Sequence, residues 1–94
     1  MTTIIKTKQL ALLTHCFIVA YADKVRYPKA PSVEAKYVAY ETALSLMNIN
    51  LDRAVRYAEM VAYGFLRENE VRDLMLKEFS DTETLKLWET KTKK

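Results

Sequence analysis

The chain has 94 residues, half of them hydrophobic, a formal net charge of +3, and only one Gly, two Pro, one His and one Cys. That length supports one small domain, a lone Cys16 excludes an internal disulfide, and one His with one Cys excludes a Cys/His zinc set. Residues 1–40 carry six Lys or Arg against two acids, residues 41–80 five against seven, and the last fourteen four against three. This is charge separation between segments, unlike the dense basic field of a strong nucleic-acid binder.

The first helix is expected from Thr7 to Arg26, ended by Tyr27-Pro28, because the residue before proline is pushed out of helical geometry. Its main apolar face is Leu10, Leu13, Phe17, Ile18, Tyr21 and Val25. A second seam, Leu12, Cys16 and Val19, marks either the central helix of a bundle or a helix that meets a partner. Lys6 and Lys8, the apolar run Leu10 to Ala20 and Ala20-Tyr21-Ala22 imitate a secretory signal. Thr14 and His15 interrupt that run, no small residue precedes Cys16, and the run is too short to span a bilayer. It reads as a buried helix of a cytoplasmic protein.

Tyr27 to Ser32, with two prolines, is the one clear turn-rich connection. The second helix, about Ser32 to Asn48, repeats Val33, Tyr37, Tyr40, Leu44 and Met47 at spacings of four, three, four and three, a seam suited to antiparallel packing. Beside it Ala35, Ala39 and Ala43 let another backbone approach. The polar stripe is narrow: Glu34, Glu41, Ser45 and Asn48. Lys36 falls inside the apolar arc, where its stem packs and its ammonium reaches water.

Asn50 caps a third helix from Leu51, with Asp52 favourably placed in the first turn. Leu51, Ala54, Val55, Ala58, Val61, Ala62 and Phe65 form its core face. Opposite lie Arg53, Arg56, Tyr57, Met60 and Tyr63, residue types enriched at the centres of protein interfaces. They are the candidate partner-binding residues; the competing arrangement packs them on the fifth helix or the proline loop. Gly64 lies near that helix's end. A fourth helix is expected from Asn69 to Phe79. Ser80-Asp81-Thr82-Glu83 reads as a capping box opening a short fifth helix through Trp88, and the tail Lys91-Thr92-Lys93-Lys94 is expected to fray.

Chemistry-bearing sets are few. His15 and Cys16 are adjacent on a helix, so their side chains diverge by about 100° and cannot serve as base and nucleophile for each other. A lone Gly64 builds no phosphate-cradling loop. Glu68, Glu70 and Asp73 read as a solvated face, not a metal site. These features point away from an enzyme and imply no cofactor.

A helix-turn-helix alignment over Ala54 to Leu76 places acids where a recognition helix meets phosphates. Around the proline loop, Lys24, Arg26, Tyr27, Lys29 and Lys36, with Tyr37, form a candidate anion or nucleic-acid contact. The expectation is an all-α compact bundle of four to five helices in one domain, residues 1–94. It is expected to bind a protein stoichiometrically, as an inhibitor or adaptor of the style common among phage and mobile-element products, and to self-associate. The alternatives are a small DNA- or RNA-binding regulator, or a binder of anionic nucleotides at a subunit interface.

Overall fold

A computed structural model describes the backbone of residues 2–89 and the side chains from residue 7 onward; the tail expected to fray lies outside the described residues. Five helices follow in order: α1 (Thr2–Arg26), α2 (Pro31–Leu46), α3 (Leu51–Ala62), α4 (Glu68–Ser80) and α5 (Thr82–Trp88). The fold is an all-α bundle, as the apolar periods predict. Among the described residues the only β-type pairing is an isolated bridge between Ile49 and Glu89.

The 25 residues of α1 make it about 37 Å long, nearly the full 40 Å extent of the molecule. It starts earlier than Thr7, and α2, α3 and α4 all pack on it. Two apolar seams are therefore needed: Ala11, Thr14, Ile18 and Ala22 are buried along one side, Phe17 and Ala20 along another. The Thr14 hydroxyl avoids a desolvation cost by donating to the Leu10 carbonyl at 2.7 Å. Of the expected second seam, Cys16 lies against Tyr40 and Val19 is half-buried, while Leu12 is exposed. The Ala20-Tyr21-Ala22 step is core packing, and no described helix is long and apolar enough to cross a membrane.

Proline occupies the first position of α2, where the missing N–H is no loss, so the helix starts at Pro31 and not Ser32. It ends two residues before the expected Asn48, which instead adopts φ +60°. The Ile49 N–H bonds to the Leu44 carbonyl and the Asn48 N–H to that of Ser45, both at 3.1 Å. This pair of bonds is a Schellman stop, with the usual apolar contact supplied by buried Leu44 and Ile49. Asn50 then caps α3, its Oδ1 accepting from the Arg53 N–H at 3.3 Å.

At α4 the Glu70 carboxylate reaches back to the Arg67 N–H at 2.9 Å, satisfying one of the free donors of the first turn. The helix lies antiparallel along the N-terminal half of α1. Nε2 of His15 donates to the Glu68 carbonyl at 3.1 Å near one end, and Thr7 and Lys8 line a groove with Leu76 and Phe79 near the other. The capping residue of α5 is Asp81, one place later than the expected Ser80. The Ser80 hydroxyl is turned back to the Leu76 carbonyl at 2.6 Å, still part of α4, while Thr84 donates to the Asp81 carboxylate and holds that carboxyl below its ordinary range.

Candidate functional site

The five residues expected to face a partner from α3 divide into two groups. Arg53 and Tyr57, one turn apart, lie at the edge of the core stripe, and their length carries them across to α4 and α5. The Tyr57 hydroxyl donates to Glu78 Oε2 at 2.5 Å; Arg53 Nη2 (3.3 Å) and Trp88 Nε1 (2.8 Å) donate to Oε1. The Tyr57 and Trp88 rings stack with centroids 6.0 Å apart, and the Arg53 guanidinium sits 5.2 Å above the Trp88 ring. One carboxylate therefore accepts from the buried indole, the phenol and the cation together, while the buried Nε of Arg53 has no hydrogen-bond partner among the described residues. Burial first, then the bond and charge of Glu78, push the Tyr57 hydroxyl up to about 12, with Arg53 opposing.

Arg56, Met60 and Tyr63, on the side of α3 turned away from that cluster, are exposed. Here α3 ends three residues before Phe65. Gly64 takes φ +88°, the Phe65 N–H bonds to the Met60 carbonyl at 2.8 Å, and the Gly64 N–H bonds to that of Val61 at 3.1 Å. This is a second Schellman stop. Phe65, expected on the core face, is 78 % exposed, because the turn carries it off the helix before its period matters. Tyr63 is 68 % exposed.

Arg26 links this region to the proline loop. Its Nη2 donates to the Val61 carbonyl at 2.6 Å, placing a cation on the electronegative C-terminal end of α3. The end of α1 and the end of α3 are thus held together, and exposed Val25 and Tyr27 share one end of the bundle with Met60, Tyr63 and Phe65. Within the rest of the loop set, Lys24 Nζ lies 5.1 Å over the Tyr37 ring, so those two members meet, while Lys29 and Lys36 are exposed, Lys36 on α2.

Two residues escaped the sequence reading. Glu78 follows Met75 by three and Val71 by seven, so a carboxylate sits on the apolar seam of α4, which was the available signal of a partnered polar core group. Phe65 follows Gly64, and a glycine there should have ended the helical face earlier. No group of three or more His, Cys, Asp or Glu arranged for a metal exists among the described residues. No protein-family model matches this chain, and comparisons with curated proteins and with solved structures give no match either.

Proposed function

We propose that the protein acts by stoichiometric binding of a protein partner, with no chemistry of its own, through the end of the bundle formed by Met60, Tyr63, Phe65 and Tyr27, with Arg56 beside them on α3. The observation that carries this reading is the Schellman stop of α3, whose two apolar positions, Met60 and Phe65, both face outward. Aromatic, Met and Arg side chains supply large contact area with directional polar ends, and a few of them account for most of the affinity of a typical interface. The Arg26–Val61 bond fixes the two helix ends relative to each other before binding, which lowers the ordering cost. The mechanism is steric: a preformed helical end covers or bridges a surface of the partner, inhibiting or recruiting it.

The test is capture by the immobilised chain from native lysate, with and without nuclease, beside a Tyr63→Ala/Phe65→Ala variant. A nuclease-resistant partner retained by the wild type and lost by the variant, at unchanged thermal melt, supports the reading. Each anchor should account for about 2 kcal/mol of affinity. A partner held equally by the variant moves the surface elsewhere. A complex that vanishes with nuclease favours the nucleic-acid reading, in which Tyr27 stacks on a base and Lys29 meets phosphate.

A further inference from the structure

The second helix is built for burial on two sides and is covered on one. Its inward seam packs on α1, where the Tyr37 ring lies 6.1 Å from Phe17 and 5.2 Å from Tyr21. On the opposite side Ala35, Ala39, Thr42 and Leu46 recur at spacings of four, three and four, a second seam of the same heptad form. All four are exposed, Leu46 at 79 %, and exposed Val38 lies beside them. The three charged residues of α2 stand at the margins of this half. At about 100° per residue, Glu34 and Lys36 fall on either side of Ala35, and Glu41 lies beyond Glu34 next to Tyr37. A helix that is uncharged and largely apolar on both faces belongs to an interior, yet no described element covers the outer one.

We propose that two copies of the chain meet on this outer face of α2, in a weak two-fold dimer. An isologous interface sets a surface against itself, so any charge on it meets its like; this half of α2 carries none, which suits a second copy and offers nothing to a partner of opposite charge. Ala35 and Ala39 allow the two helix axes to approach to about 8 Å. Sixteen residues give a helix about 24 Å long and 10 Å wide, whose outer half presents roughly 400 Å². A total of roughly 800 Å² falls among weak, transient interfaces, so the dimer forms at high concentration and exchanges fast. The proposal stands apart from the binding surface at the end of α3, which the dimer leaves free.

Residue 39 lies at the middle of α2, so it faces its own counterpart whether the two helices pair parallel or antiparallel. Sedimentation equilibrium from about 5 to about 500 µM should show the mass rising above the 10.9 kDa monomer toward twice that value. Ala39→Glu and Ala39→Lys alone should each weaken the dimer at least tenfold. An equimolar mixture of the two should restore it to within a few-fold of wild type, a recovery that misfolding cannot produce. Tyr63→Ala should dimerise as wild type does. A wild-type chain that stays monomeric across the range, undiminished dimerisation of Ala39→Glu, or no recovery in the mixture would each overturn the proposal.

Discussion

The ends of α2 and α3 use the same backbone device and give their apolar residues opposite fates. Both helices stop in a Schellman turn, with Asn48 at φ +60° in one and Gly64 at φ +88° in the other. In the first, the residue after the turn is Ile49, 4 % exposed; in the second it is Phe65, 78 % exposed. The difference lies in what crosses above. Over the α2 end, the Asn50 N–H bonds to the Trp88 carbonyl at 2.7 Å and the Asn50 side-chain amide to the Leu87 carbonyl at 3.2 Å, bringing α5 down on Ile49. Over the α3 end, Arg26 satisfies a carbonyl but brings no apolar cover. The turn itself is local chemistry; burial of the residue after it needs a second element from far along the chain.

Removing the cover is the most damaging way to test this contrast. Trp88 is fully buried, stacks on Tyr57 and lies 5.2 Å from Phe79. Trp88→Ala should cost about 3–5 kcal/mol, a large share of the 5–15 kcal/mol typical of such a domain. Urea denaturation measures it directly. Substituting at the equivalent position of each turn compares the two ends themselves: Ile49→Ala should cost about 3 kcal/mol, and Phe65→Ala less than about 0.5 kcal/mol. Similar losses at the two sites would mean that Phe65 packs inward after all.

Glu78 fastens the covered end, and removing it should be the next largest effect. Glu78→Ala strands the Trp88 indole N–H and the Tyr57 hydroxyl and leaves Arg53 uncompensated, costing about 3 kcal/mol. The same cluster shapes the alkaline limb of stability. Unfolded tyrosine titrates near 10, and Tyr57 in the fold is pushed up to about 12. The folded state holds that proton more tightly, so the contribution is complete below pH 10 and is lost as pH rises from about 10 to about 12. Tyr57→Phe should reduce this loss without abolishing it, because burial and Glu41 also raise Tyr37, and Cys16 and burial raise Tyr40. An alkaline profile unchanged by Tyr57→Phe would remove Tyr57 from the cause.

How far the sequence carries depends on how local each feature is. The five helices follow from apolar period, proline and capping residues, and the core stripe Ala54, Ala58 and Val61 lies where a period of 3.6 places it. Helix ends shifted by one or two residues at Pro31, Leu46 and Asp81, because competing turn bonds decide them. The sequence offers both a partner and the fifth helix to Arg53, Arg56, Tyr57, Met60 and Tyr63, and Arg53 and Tyr57 take the fifth helix; which residue takes which is not legible locally. Only the arrival of Glu78 and Trp88, more than twenty residues onward, separates them. Likewise nothing local shows that, within the loop set, Lys24 lies over Tyr37 while Arg26 reaches the Val61 carbonyl.

The smallest effect tests whether the two turns are equivalent beneath their different covers. A Cβ built at Gly64 meets nothing within 4 Å, so Gly64→Ala carries no clash, and its cost is the backbone conformation alone. An L-residue with a Cβ held at positive φ costs about 1 kcal/mol, and asparagine is one of the few that tolerates it. Gly64→Asn should therefore cost less than Gly64→Ala, and Asn48→Ala should lose at least the difference between those two costs. Chemical denaturation resolves differences of this size when the three variants are measured beside wild type. A loss at Asn48 equal to that difference would locate the whole contrast between the two ends in the residue that follows and in what covers it. A clearly larger loss at Asn48 would show that the covered turn also draws stability from its own side chain, and the two stops would then be alike in hydrogen bonding only.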